Sequence, residues 1–287
     1  MKFRSVAAAA FAVAFAPVAA QAGLLDTVKQ RGHLICGSNT GLAGFGMPNE
    51  KGDWTGLDVE FCRAIAAAIF NDPTKVKFIP LSAKDRFTAL QSGEIDVLSR
   101  NGTATMSRDT SLGLNFGPPN YFDGQGFMVR KKLNVSSAKE LNGASVCVQQ
   151  GTTTELNLAD YFRANNMKYE GVVFATSAET TKAYDSGRCD AFTTDASGLY
   201  SERIKMTNPD EHVVLPEIIS KEPLAAAVRH GDDQWFDIVK WTHYAMLTAE
   251  ELGVTKANVD EQMKSTNPDV KRLLGTEGKF GEGIGLT

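Results

Sequence analysis

Between residues 99 and 111 the chain reads Ser-Arg-Asn-Gly-Thr-Ala-Thr-Met-Ser-Arg-Asp-Thr-Ser, directly after the apolar run Ile95-Asp96-Val97-Leu98. A strand that ends in such a loop can turn backbone N–H groups, small hydroxyls and a guanidinium onto one carboxylate. A second stretch has the same character. In Gln150-Gly151-Thr152-Thr153-Thr154 a glycine and three threonines open an amphipathic helix, offering N–H groups and hydroxyls to an anion; Thr152 or Thr153 can serve as N-cap at the same time. These are binding groups. No Ser, His, Asp constellation or carboxylate pair suited to acid–base catalysis accompanies them.

The remaining reactive side chains point away from metals and redox chemistry. Histidines 33, 212, 230 and 243 are scattered, without i,i+4 partners at metal-ligand spacing. Cysteines 36, 62, 147 and 189 lack Cys-x-x-Cys spacing. Four cysteines allow three disulfide connectivities. Cys36 lies in the strand-like Leu34-Ile35-Cys36-Gly37 and Cys62 in the helix that follows, and such consecutive elements are spatial neighbours. Pairing Cys36 with Cys62, and Cys147 with Cys189, puts one staple in each half of the chain.

An N-terminal leader makes disulfides expected. Lys2 and Arg4 precede a small and apolar run from Val6 to Val18, closed by Ala20-Gln21-Ala22. This has the layout of a secretory signal peptide over residues 1–22, too short to span a bilayer. No later run has the roughly 18 uncharged apolar residues of a membrane span, so a soluble exported product is expected. The mature part holds 28 basic against 34 acidic residues, a net charge near −6. Without a basic stripe, nucleic acid is excluded as a partner.

About 265 mature residues exceed what one core usually holds, which predicts two lobes. Leu57, Phe61, Ile65 and Ile69 repeat as one helical face that stops at Asn71-Asp72-Pro73. A strand at 76–80, a helix at 84–92 stopped by Gly93 and a strand at 95–98 follow. This is an α/β alternation, in which ligands sit beyond the carboxyl ends of strands, here residues 39–45 and 99–108. Past Pro118-Pro119 the pattern starts again: a strand at 125–129, a short helix at 137–141, a strand at 144–148 and the helix after Thr154.

Residues 89–101 can be laid over 183–195, both running helix, glycine stop, strand, polar strand end. The second copy ends at Asp195. Facing lobes of similar plan bring Asn101 and Arg108 towards Asp195 and Thr152, and an acid opposite a guanidinium complements a zwitterion. The apolar run 224–228 needs an existing sheet, so the chain is expected to return to the first lobe before the helix carrying Trp235, Ile238, Val239, Tyr244 and Met246. Lobe 1 is then 23–120 with 222–287, and lobe 2 is 121–221. Two crossings, near 118–126 and 216–223, make a hinge. The glycine-rich end, 278–287, is expected to lie loosely on the surface.

The chain resembles the periplasmic solute-binding proteins of bacterial ABC importers, within the polar amino-acid-binding family and nearest its general L-amino-acid branch. The likeness is carried by Gly56-Leu57-Asp58-Val59-Glu60-Phe61-Cys62, residues 89–101, Arg108-Asp109, Gln150-Gly151-Thr152-Thr153 and Thr194-Asp195-Ala196-Ser197-Gly198, and covers the whole mature chain. It implies a two-lobed type II periplasmic-binding-protein fold, each lobe a mixed sheet flanked by helices. It also implies a monomer without cofactor that delivers its ligand to membrane permease subunits. By the same resemblance Arg108 grips the ligand α-carboxylate with Thr103, Thr152 and Thr153, and Asp195 takes the α-ammonium beside Asn101. Gly102 and Ala104 depart from that branch, which carries Thr and Trp there.

The ligand side chain is expected to meet Asn39, Leu42, Phe45 and Arg100. Asn39 is neutral where binders of basic amino acids carry an acid. Neutral, adaptable walls discriminate weakly, so broad recognition of L-amino acids is expected. The alternatives are a glutamate and aspartate specialist that uses Arg100, an exported dehydratase on the same scaffold, and a soluble ligand carrier for a receptor.

Overall fold

The computed structural model describes residues 23–286, and the predicted signal peptide lies outside them. Two five-stranded sheets organise the chain. The first runs Val76–Pro80, Leu34–Ser38, Val97–Leu98, Ala227–Arg229, Leu114–Phe116; the second runs Glu170–Phe174, Ser145–Gln149, Ala191–Asp195, Gln125–Arg130, His212–Val214. In each, the first three strands are parallel and the fourth is antiparallel to both neighbours. The fourth strand is in both cases the one the chain enters after passing from the other sheet.

The internal correspondence has a local cause. The helices Arg86–Ser92 and Ser177–Asp185 each end near a glycine in the left-handed region, Gly93 at φ 80° and Gly187 at φ 90°. Glycine adopts that conformation without steric cost and turns the chain sharply into the next strand. The first of those strands is short, Val97–Leu98 rather than 95–98, because Asp96 turns its carboxylate to the Ile35 N–H and to Arg31.

Each sheet is buried on both faces. Leu57–Phe70 lays Phe61, Cys62, Ile65 and Ile69 against Leu34, Cys36 and Val97, with Trp235, Ile238 and Val239 of the helix Asp233–Glu251 completing the layer. Leu57 itself is exposed, and so are Tyr244 and Met246 on the long helix. The opposite face buries Leu81, Leu90, Ile95 and Leu114. In the second sheet, Phe127 joins Leu158 and Phe162 on one side while its neighbour Met128 joins Tyr184 and Phe192 on the other, as a period of two requires. Burying each such large side chain stabilises the fold by about 1.5–3 kcal/mol. The disulfides Cys36–Cys62 and Cys147–Cys189 link a strand of each sheet to what packs on it.

The passages between the sheets are paired with each other. Tyr121–Asp123 and Glu222–Leu224 form an antiparallel two-stranded ribbon in which Glu222 faces Asp123 and Leu224 faces Tyr121. The run expected as one strand over 224–228 is therefore divided, its start in this ribbon and Ala227–Arg229 in the first sheet. The C-terminal stretch also differs from expectation. Phe280–Ile284 forms a 3₁₀ helix, Ile284 and Leu286 pack on the first core, and Lys29 Nζ donates to the Gly285 carbonyl at 2.7 Å. Two apolar side chains and a backbone carbonyl dock this glycine-rich tail.

Candidate functional site

A cavity lies between the sheets, with walls from both: Asn39, Arg86, Arg100 and Thr103 on one side, Thr152, Thr153, Asp195 and Glu202 on the other. All these positions follow, or lie at, the carboxyl ends of parallel strands. There the backbone stops pairing and its side chains become free for a ligand.

Asp195 ends the strand Ala191–Asp195 and begins the helix Ala196–Arg203. It is 8 % exposed, and among the described residues its Oδ1 has no hydrogen-bond partner. Burial, then the charges of Glu222 and Asp123, push its carboxyl up to about 8 against the opposing pull of Arg86 and Arg108. A buried acceptor without a donor is costly, so this oxygen suits a cationic or N–H-bearing group. Beside it the helix Thr153–Ala164 starts at Gly151, where φ is 75°, and Thr152, whose Oγ1 caps the Glu155 N–H at 3.1 Å.

The opposing wall is held by a carboxylate that the family likeness includes but to which the sequence assigns no role at the site. Asp58, buried on the helix Leu57–Phe70, accepts from Ser99 Oγ at 3.1 Å, the Asn101 N–H at 2.7 Å and Asn120 Nδ2 at 3.4 Å. It thereby fixes Asn101 in the left-handed region at φ 34°, where Asn39 Nδ2 reaches its Oδ1 at 2.8 Å. Desolvation nevertheless leaves the Asp58 carboxyl above its ordinary value.

Three guanidiniums converge here. Arg86 and Arg108 each lie over the Phe87 ring, at 4.8 and 4.9 Å from its centroid. Arg108 Nη1 donates to the Thr103 carbonyl at 2.8 Å, and Arg100 Nε to the Leu81 carbonyl at 2.8 Å. Arg86 Nη1 reaches the Arg100 carbonyl at 3.4 Å, and its buried Nε has no hydrogen-bond partner among the described residues. Burial lowers all three, Arg100 to about 10; repulsion from Arg108 adds to this at Arg86 and Arg100, while Glu222 and Asp195 oppose it at Arg108. Among the described residues none of the three forms an ion pair within 4.0 Å.

Of the residues expected at the site, Asn39, Leu42, Arg100, Asn101, Thr103, Thr152, Thr153 and Asp195 line the cavity. Arg108 stands just behind the wall, beneath Thr103. Phe45 does not line it: the ring packs with Leu42 and Leu224 and edge-on against Tyr121 at 5.4 Å, bracing the crossing ribbon. The hydroxyls of Thr103 and Thr153 are also committed, since both donate to Glu222 Oε2, at 2.6 and 2.8 Å. An incoming carboxylate would meet backbone N–H groups at the helix start in place of these hydroxyl protons.

Arg86 and Glu222 were missed. Arg86 opens the helix after the strand Val76–Pro80, and the strand-end rule that picked out residues 39–45 and 99–108 applies equally to it. Nothing local marks Glu222. Glu202 joins the cavity through hydrogen bonds from Ser177 Oγ and Thr181 Oγ1, at 3.0 and 2.9 Å, contacts between distant positions.

Residues 34–257 match the family of bacterial extracellular solute-binding proteins, family 3. The chain is 62 % identical, over its full length and 84 % of the relative, to the general L-amino acid-binding periplasmic protein AapJ of Rhizobium johnstonii. It is 58 % identical, over 99 % of its length and 83 % of the relative, to the glutamate/glutamine/aspartate/asparagine-binding protein BztA of Rhodobacter capsulatus. An ABC-transporter periplasmic binding protein from Brucella ovis, solved with glutathione bound, superposes with a TM-score of 0.91 at 62 % identity, covering 93 % of this chain and 84 % of that one. With two sheets of one plan, a paired crossing and a charged cleft between them, the chain belongs to the bacterial extracellular solute-binding proteins of family 3.

Proposed function

We propose that the protein is a monomeric periplasmic carrier that captures L-amino acids by closure of its lobes, 23–120 with 222–287 and 121–221, and delivers them to the permease of an ABC importer. The observation that carries this reading is the pairing of opposites across one cleft. Asp195, with an unpartnered buried oxygen, lies within electrostatic reach of Arg86 and Arg108. A free amino acid brings an ammonium and a carboxylate on adjacent bonds, and only a zwitterion answers both demands at once. The relatives at 58 % and 62 % identity, binding proteins for amino acids, agree with it. Arg108 serves the α-carboxylate from behind Thr103, with the N–H groups at Thr152 and Thr153 opposite.

Ligand breadth follows from the cavity's remaining walls. Asn39, Leu42 and Asn101 are neutral, and among the described residues the heads of Arg86 and Arg100 donate to carbonyl oxygens and form no ion pair, Arg86 lying also over the Phe87 ring. Such a pair welcomes an acidic side chain without excluding amides, whose oxygen also accepts. Thermal shift and calorimetry against glutamate, aspartate, glutamine, leucine, alanine and arginine test this, since a ligand bound only by the folded state raises its melting temperature. Several L-amino acids, the acidic ones and their amides included, are expected to bind. A ligand set confined to glutamate and aspartate would replace breadth by the acidic specialist, and no response from any of the six would remove the reading.

A further inference from the structure

We infer that Glu222 is a positioning residue that couples lobe closure to ligand capture, its carboxylate being a shared acceptor whose hydrogen bonds are complete only when the lobes meet. Glu222 is 2 % exposed and lies on the second crossing, Glu222–Leu224. Its Oε2 accepts from Thr103 Oγ1 at 2.6 Å and Thr153 Oγ1 at 2.8 Å; its Oε1 accepts from Ser220 Oγ at 2.6 Å and Asn157 Nδ2 at 2.8 Å.

These four donors do not belong to one body. The crossing is clamped to the first sheet's loop by Ala104 N–H to the Pro223 carbonyl, Ala225 N–H to the Gly102 carbonyl and Asn120 N–H to the Leu224 carbonyl, at 2.8–2.9 Å. Thr103 therefore stays with Glu222 if the lobes part. Thr153 and Asn157 ride on the helix Thr153–Ala164, packed on the second sheet with Leu158 and Phe162 in its core. Separation strips the carboxylate of two donors, and bonds to a charged acceptor are the strong kind. Closure is thus favoured before any ligand arrives, and a ligand that needs the closed form binds more tightly for it. Thr103 and Thr153, which meet at 3.5 Å, are set in place by the same carboxylate.

Small-angle scattering and L-glutamate calorimetry on the full mature chain test the inference. Only the calorimetry rests on the amino-acid reading. Glu222→Ala is expected to enlarge the ligand-free radius of gyration and to weaken glutamate binding on the order of tenfold or more. The double variant Thr153→Val with Asn157→Ala, which leaves the carboxylate and its first-lobe contacts intact, is expected to do the same. Adding Glu222→Ala to it should change little, because the shared bonds are already gone. Should Glu222→Ala fail to fold, the double variant decides by itself. Scattering curves for the double variant that coincide with wild type, or effects of Glu222→Ala and the double variant that add in full, overturn the inference. If wild type ignores glutamate, the expected binding of acidic amino acids fails while the scattering still decides for or against Glu222.

Discussion

The most informative single group is the Asp195 carboxylate, because its environment fixes its proton. Burial raises it to about 8, so the folded ligand-free protein keeps a proton there that the unfolded chain gives up near 3.8. That proton stabilises the folded state in acid, and the contribution is lost as pH rises through about 8. The melting temperature of the ligand-free protein should therefore carry a downward slope between about pH 5 and about pH 8, and Asp195→Asn, neutral throughout, should flatten it. A ligand ammonium demands the ionised form, so binding near neutrality expels the proton. Calorimetric heats measured in buffers of different ionisation enthalpy will reveal this. A buffer dependence undiminished in Asp195→Asn would show that the proton comes from elsewhere.

Among the elements, what matters is how each presents its end to the cleft. Glycine stops at Gly93 and Gly187 aim the strands Val97–Leu98 and Ala191–Asp195 at the cavity, and the disulfides hold the neighbouring strands to their cover. The closed loops span 26 and 42 residues, which in the chain-entropy model stabilises by on the order of 3 to 4 kcal/mol each. Replacing Cys147 and Cys189 together by alanine should lower the melting temperature by roughly 10 °C in scanning calorimetry. Because Cys147 is on the strand that leads to Gln149 and Thr152, ligand affinity should weaken alongside. A shift of under about 2 °C would mean that packing around Tyr184 and Phe192 already supplies that constraint.

At the scale of the whole molecule, closure depends on backbone meeting backbone. A Cβ built on Gly151 of the second lobe would lie 3.2 Å from Lys84 Cα and 3.5 Å from the Ala83 carbonyl of the first, and φ is already 75° there. Neither neighbour is a flexible side-chain tip that could yield. Gly151→Ala should hold the lobes slightly apart, giving weaker amino-acid binding and less compaction on ligand addition in small-angle scattering. Wild-type compaction and affinity in that variant would mean the loop relaxes freely. The hydrogen bonds from Ser201 Oγ to the Ala43 carbonyl at 3.0 Å and from Lys205 Nζ to the Gly41 carbonyl at 2.6 Å close the far rim of the same interface.

The alternation of strands and helices, the repeat of 89–101 at 183–195 and the strand-end loops were legible in the sequence because each rests on local rules: periodicity, glycine stops and hydroxyl-rich helix starts. The two-lobed plan and most of the cavity's lining, Asp195 and Thr152 among them, followed from these together with the family resemblance. Leu57, Phe45 and the C-terminal tail went otherwise, for an apolar type does not say which neighbour will cover it. Tertiary structure alone decided that Asp58 anchors the wall that carries Asn101 and Arg100, and that Glu222 gathers Thr103, Ser220, Thr153 and Asn157. Glu222 shows why: its donors Thr103 and Thr153 lie 119 and 69 residues away in sequence. No local pattern encodes a charge two of whose partners, Thr153 and Asn157, reach it only once the two sheets stand face to face.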